Sequence, residues 1–187
     1  MERIAESIKT LAVLLDRLEP LPGNPRVGDV AAVMRSYTRF GQRKPIVAQR
    51  TGGSETAPTG VVIAGNHQLE AARRLGWRSI AVVWVDDDDN TARAFALADN
   101  KTSDLGSYDN GALAKMLLSI EDDPELLVAT SYTPADVAKL VNGTDVELEN
   151  PSVESTYLVI VECEGEHEQL SVLTEFVDRG FTIRALM

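Results

Sequence analysis

A short polar stretch between a β-branched run and a helical pattern is the part of this chain best suited to bind an anion. It consists of Gly65, Asn66, His67 and Gln68. Backbone amides at the start of a helix have no intrahelical acceptor, and the helix dipole places partial positive charge there. A glycine lets a phosphate approach the backbone, while imidazole and carboxamide groups add donors. The stretch therefore predicts an anion-binding turn, although the same residues also occur where a chain simply turns from strand to helix.

Two elements must position this turn. The β-branched run Val61–Ala64 favours a strand, and Gly65 interrupts it. Apolar residues then recur at helical spacing, at Leu69, Ala72 and Leu75. Asn66 is a good N-cap, so we expect the unpaired amides to belong to the three residues that follow it.

Three further stretches carry polar side chains that could take part in chemistry. In LEPLPGNPR, prolines forbid a helix and hold Asn24 and Arg26 on a stiff, extended loop. The aspartates 86–89 could bind Mg²⁺ or Ca²⁺, but neighbouring carboxylates rarely converge on one ion and are also favoured in the first turn of a helix. Asp99, Asn100 and Lys101 could serve a ribose or a metal-bound phosphate after a helix from Thr91 to Ala98, with Asn100 as a C-cap instead.

These motifs resemble those of the ParB/sulfiredoxin superfamily. The turn is similar to the second motif of that family, in which ParB proteins have Gly-Glu-Arg-Arg and sulfiredoxins have Gly-Cys-His-Arg. Gln68 thus replaces an arginine, and Asn66 replaces the sulfiredoxin cysteine, which excludes that thiol chemistry. The proline-rich loop resembles the first motif, and Ala98–Lys101 resembles a motif of phage-type ParB-like proteins.

The resemblance implies an α+β fold with a ParB/sulfiredoxin-like mixed sheet and flanking helices. It implies an NTP bound with Mg²⁺ through a phosphate at the turn, in a protein of phage or prophage origin that acts as an NTPase or a DNA nuclease. His67 and Asp99 are the catalytic candidates, and no metal ligand is assigned. The nucleotide-binding candidates are Asn24, Arg26, Gly65, Asn66, His67, Gln68, Arg73 and Lys101. The alternative is a non-enzymatic interaction module with a decayed cleft, which binds a protein partner or mimics DNA.

The net charge of the chain is negative, but the charges are distributed unevenly, and the N-terminal half is basic enough to suit a phosphate ligand. The chain has a formal charge of −11, but residues 1–85 carry 12 Lys and Arg against 7 Asp and Glu, whereas residues 86–187 carry 6 against 22. A basic half could accept nucleotide or DNA phosphates, although basic residues also form ordinary solvated faces. The short apolar runs predict no membrane span and a soluble, cytoplasmic protein, and a single cysteine excludes an internal disulfide.

Periodicity and turn residues predict the remaining elements. We expect a short strand after a frayed or helical start within Ile8–Leu18, a mobile hairpin tip at residues 51–60 and a strand at Ser79–Val85. Predicted helices are those capped by Asp29 and by Asn110, and the one that opens at the capping box Thr133–Asp136. Residues 1–141 form the first domain, 142–155 a linker, and 156–187 a β-α-β unit with open sheet edges that could pair in a homodimer.

Overall fold

The computed structural model describes residues 3–143 and 165–179, in a chain that separates into two compact units, Met1–Leu148 and Glu149–Met187. The described part of the second unit contains one helix, α7, at Glu166–Asp178, which agrees with the helix of the predicted β-α-β unit. The predicted strands of that unit and most of the predicted linker lie outside the described residues. None of the described helices is long and apolar enough to cross a membrane.

The first unit is built on a five-stranded mixed sheet with the order β1-β5-β3-β4-β2. The strands are β1 Ala12–Leu14, β2 Leu18–Pro20, β3 Ile46–Ser54, β4 Ala57–Ala64 and β5 Ser79–Val85. β5 has its predicted limits. The pairs β1–β5 and β3–β4 are antiparallel, whereas β3–β5 and β2–β4 are parallel. β2 and β4 therefore end at the same side of the sheet.

The sheet must curl, because the strands at its two edges are joined by a single 3₁₀ turn, Leu15–Arg17. At roughly 3.5 Å per residue this link reaches about 14 Å, whereas the edges of a flat five-stranded sheet are about 19 Å apart. The prediction of a short strand after a helical start within Ile8–Leu18 is confirmed, because a 3₁₀ helix at Glu6–Leu11 precedes β1 at Ala12–Leu14. β2 was not predicted, since Leu18–Pro20 was assigned to the extended loop.

The hairpin of β3 and β4 is longer than the sequence indicated. Gly52 pairs with Thr59 and Ser54 pairs with Ala57, so only Glu55 and Thr56 lie between the two strands. The predicted tip at residues 51–60 was wrong because the ladder is made by backbone groups, which pair even where exposed Gly and Thr side chains bury little apolar surface.

Helices cover both faces of the sheet. On one face, α1 (Val30–Phe40) and α2 (Asn66–Arg74) pack on a core that includes Leu18, Ile46 and Val62, and the rings of Tyr37 and Trp77 stack at 4.9 Å between centroids. On the other face, α3 (Asp89–Asp104) packs through its buried alanines. Asp29 caps α1 as predicted, and Gly41 ends it with φ of 71°.

α3 is much longer than the predicted helix from Thr91 to Ala98. Because neither Pro nor Gly interrupts it, the helix continues through the Ala-Asp-Asn-Lys segment to Asp104. Asn100 is therefore not a C-cap. Its side-chain amide instead donates to the carbonyl of Ala96 at 2.8 Å, one turn earlier in the same helix.

A small helical cluster completes the first unit. Its helices are α4 Asn110–Leu118, α5 Pro124–Thr130 and α6 Pro134–Gly143. They bury Leu117, Leu127 and Val137 together, and α5 packs against α1. The capping box at Thr133 and Asp136 is confirmed, but Asp109 rather than Asn110 caps α4. α5 was not predicted.

Candidate functional site

The helix after the glycine turn begins one residue earlier than predicted. Gly65 is the N-cap, in the left-handed region at φ 99° and ψ 26°, and Asn66 is already helical. The first helical hydrogen bond runs from the amide of Leu69 to the carbonyl of Gly65 at 3.0 Å. At this helix start, the amides of Asn66, His67 and Gln68 thus have no acceptor among the described residues.

Only glycine fits at this cap. A Cβ on Gly65 would collide with Cγ2 of Ile46 and would lie 2.7 Å from Oε1 of Gln68, in addition to the strain of a positive φ. Because the buried Ile46 cannot move freely, the junction holds the three free amides in a fixed arrangement.

The side chain of Asn66 joins two neighbouring strands instead of capping the helix. Its Oδ1 accepts a hydrogen bond from the amide of Leu21 at 2.8 Å, and its Nδ2 donates to the carbonyl of Val62 at 3.0 Å. Leu21 directly follows β2, and it begins the loop Leu21–Gly28, which we call the strap. Asn66 therefore fixes one end of the strap beside the start of α2.

His67 fixes the other end of the strap. Its Nε2 accepts a hydrogen bond from the amide of Gly28 at 2.9 Å. The imidazole lies so close to Gly28 that a Cβ there would be 2.8 Å from Nδ1. Two consecutive residues of α2 thus hold the strap through long-range contacts, and the sequence gives no local signal for either contact.

The two arginines expected to balance phosphate charge have partners within the protein. Nη1 of Arg26 donates to both carboxylate oxygens of Asp104, at 2.6 and 2.7 Å. Nη2 of Arg73 donates to the carbonyl of Leu18 at 2.6 Å, which ties α2 to the first residue of β2. Both arginines therefore fasten parts of the fold together in the observed structure.

A cleft of about 400 Å³ separates the strap from α3. Its lining consists of Leu21, Pro22, Gly23, Asn24, Pro25, Arg93, Ala96, Leu97 and Asn100. Arg93 is the only charged residue in this lining. Since Leu21 lines the cleft and also bonds Asn66, the cleft adjoins the start of α2 at the carboxyl ends of the parallel strands β2 and β4.

Arg93 was not among the predicted site residues. It lies seven residues before Asn100 on α3, which puts the two on one helix face. The helical spacing would have revealed this pair if α3 had been predicted at its full length. Asp99 and Lys101, two of the predicted site residues, flank Asn100 on the helix but do not line the cleft.

The aspartates at the start of α3 act separately. Asp86 pairs with Arg50 at 2.9 Å, Asp89 accepts from Gln49 at 3.0 Å, and Asp88 caps the helix. Hydrogen bonds from the amide of Thr91, then from its hydroxyl and from the amide of Asn90, lower the pKa of the Asp88 carboxyl. Residues 3–143 and 165–179 contain no group of three or more His, Cys, Asp or Glu side chains that could hold a metal ion.

Comparison with known proteins bears on the fold. No protein-family model and no curated protein sequence matches the chain. The structure is similar to the C-terminally truncated chromosome-partitioning protein ParB from Caulobacter crescentus complexed with CTP-gamma-S, with a TM-score of 0.56 and 16% identity over 69% of this chain and 74% of that one. Sulfiredoxin from Arabidopsis thaliana matches with a TM-score of 0.37 and 23% identity, over 45% of this chain and 92% of that one.

The ParB similarity and the observed topology confirm the fold that the sequence motifs implied. The observed sheet is mixed and curled with helices on its two faces, and the motif residues lie at the junctions between these elements. This chain therefore has the α+β fold of the ParB/sulfiredoxin superfamily.

Proposed function

We propose that this protein binds a nucleoside triphosphate, with phosphate on the free amides of Asn66, His67 and Gln68 and the nucleoside in the cleft beneath the strap. The observation that carries the proposal is the start of α2, where three amides without acceptors lie next to a cleft of about 400 Å³. Helix starts of this kind stabilise phosphate through directed N–H groups and the helix dipole. The bound CTP-gamma-S in the similar ParB structure supports a nucleotide as the ligand.

Mg²⁺ fits this proposal as a companion of the nucleotide. The described residues offer no carboxylate cluster that would hold the ion by itself. Mg²⁺ bound to nucleotides usually keeps several waters and takes most of its other ligands from phosphate oxygens, so one or two carboxylates are enough. The ion would neutralise phosphate charge, which matters here because Gln68 adds none.

The geometry supports binding better than a reaction. Nε2 of His67 is engaged by the amide of Gly28, and Asp99 lies outside the cleft lining, so neither catalytic candidate points to a reacting group. For DNA cleavage at residues 86–89, the carboxylates would have to converge, whereas the observed ones have separate partners. We therefore assign His67 a positioning role. The interaction-module alternative differs in needing no nucleotide, and DNA as a further partner stays a prediction.

Calorimetric titration of the full chain with ATP, CTP and GTP, each with Mg²⁺, tests the proposal. Gln68→Arg restores the missing cation and should tighten binding about tenfold, since hydrogen bonds between charged groups contribute roughly 1.5–3 kcal/mol. Gln68→Glu repels phosphate and should weaken binding, although a carboxylate in the first turn favours the helix itself. Because the second variant should fold at least as well as the wild type, a loss of affinity reports on the ligand.

Two results would contradict the proposal. If none of the three nucleotides binds the wild-type chain at millimolar concentration, the interaction-module alternative is favoured. If a nucleotide binds but the two substitutions at Gln68 leave its affinity unchanged, the phosphate lies elsewhere on the protein.

A further inference from the structure

We infer that Arg93 supplies the guanidinium that binds phosphate in this site, in place of the cation that Gln68 cannot provide. The inference rests on the proposed function and adds to it a residue that neither the motifs nor the resemblance assigned. Three observations carry it: the absence of a partner for Arg93, its place in the cleft, and the engagement of the other nearby arginines.

Arg93 differs from most arginines of the first unit in having no partner among the described residues. Among residues 3–143, every arginine except Arg17 and Arg93 has a hydrogen bond, an ion pair or a ring contact. The fold therefore leaves this guanidinium available for a ligand.

The cleft around Arg93 is otherwise uncharged. Nδ2 of Asn100 donates to Ala96, and Oδ1 of Asn24 accepts from the amide of Arg26 at 3.2 Å. In the described structure this leaves the carbonyl oxygen of Asn100 and the amide nitrogen of Asn24 without partners. One guanidinium, one donor and one acceptor thus lie among the apolar walls of the cleft, a set that suits a phosphate attached to a polar heterocycle.

Competition within the protein explains why Arg93 rather than Arg26 takes this role. Arg26 is already bound to Asp104 through two short contacts, so a phosphate would have to displace a carboxylate to reach it. Arg93 requires no such exchange. A guanidinium can donate two parallel hydrogen bonds to a phosphate, which a glutamine at position 68 cannot match in charge or geometry.

The test compares Arg93→Gln with Arg17→Gln, because both remove one unpartnered arginine and change the net charge equally. Binding of ATP, CTP and GTP with Mg²⁺ is measured by calorimetry on the full chain, and tripolyphosphate is used as a competitor that has no base or sugar. We expect Arg93→Gln to weaken nucleotide binding and tripolyphosphate competition each by about tenfold or more. Arg93→Lys should restore part of the loss, and Arg17→Gln should leave both measurements unchanged.

Each other outcome has a defined meaning. If the wild-type chain binds nucleotide and Arg93→Gln binds it equally well, the inference is overturned but the proposed function stands. If the wild-type chain binds no nucleotide, both are overturned. Arg93 does not contact phosphate if Arg93→Gln weakens nucleotide binding but leaves tripolyphosphate competition unchanged. The same conclusion follows if tripolyphosphate does not compete with nucleotide in the wild type. An equal loss in Arg17→Gln would show a non-specific charge effect and would also overturn the inference.

Discussion

The starts of α2 and α3 differ, although both helices directly follow a strand of the same sheet. At α3, Oδ1 of Asp88 accepts hydrogen bonds from the amides of Asn90 and Thr91 at 2.9 and 3.0 Å, and Oδ2 accepts from the Thr91 hydroxyl at 2.8 Å. At α2, Gly65 offers no side chain, and three amides stay unpaired. One start is closed by a carboxylate, and the other is open to a ligand.

The other α-helices between residues 30 and 143 resemble α3 in this respect. Their first turns receive a side-chain oxygen from Asp29, Asp109, Asp123 and Thr133. At α2 the polar residues Asn66 and His67 are present, but they bond residues of the strap, 45 and 39 positions away in the chain. The difference teaches that this junction uses its polar side chains to build the cleft rather than to cap the helix.

The largest effect on stability is expected at Gly65, where an added side chain would close the start of α2. Gly65→Ala adds a collision with Ile46 to the strain of a positive φ, so we expect the free energy of unfolding to fall by about 2–4 kcal/mol. Gly76→Ala is the matched control, with φ of 69° and no atom within 4 Å of the added Cβ, and it should cost only about 1 kcal/mol. Urea denaturation followed by tryptophan fluorescence measures both, because the only tryptophans, Trp77 and Trp84, lie in the first unit. Equal losses would show that the Ile46 contact does not matter.

A smaller effect on stability is expected at Asn66, which holds the strap at Leu21. Asn66→Ala removes the acceptor of the Leu21 amide and the donor to the carbonyl of Val62, which should cost about 1–3 kcal/mol and speed hydrogen exchange at the Leu21 amide. Asn66→Asp keeps an acceptor for Leu21 and should protect that amide better than alanine does. If exchange at Leu21 is the same in all three proteins, Asn66 does not hold the strap.

The smallest effect is a pH dependence of stability that arises at Asp88, the cap of α3. The pKa of Asp88 is lowered in the folded state, so its contribution to stability is present above the ordinary value of 3.8 and is lost as the pH falls through the folded pKa. Asp88→Asn keeps a capping oxygen that does not titrate. The stability advantage of the wild type over this variant should therefore shrink below pH 4 in urea denaturation, and an advantage that stays constant would contradict the role of the charge.

The sequence predicted well those features that depend on neighbouring residues. The cap of α1 at Asp29, the limits of β5 and the capping box at Thr133 all follow from local residue types. The motif order also identified the fold, because it records the sequence of elements without requiring their contacts.

Features that depend on distant contacts could not be predicted. Whether Gly65 or Asn66 caps α2 is decided by Ile46 and Leu21, which lie far away in the chain. The pairing of Arg26 with Asp104 spans 78 residues, so the sequence could not show that Arg26 is engaged while Arg93 is free. The homodimer through the C-terminal unit stays a prediction, because the strands in question lie outside the described residues.

The shortness of the two outer strands has a consequence for association between molecules. β1 and β2 are each only three residues long, so a foreign strand that docks there gains few backbone hydrogen bonds. An open mixed sheet is ordinarily prone to edge-to-edge aggregation. Here the short edges limit the exposed ladder, which protects the first unit from such pairing.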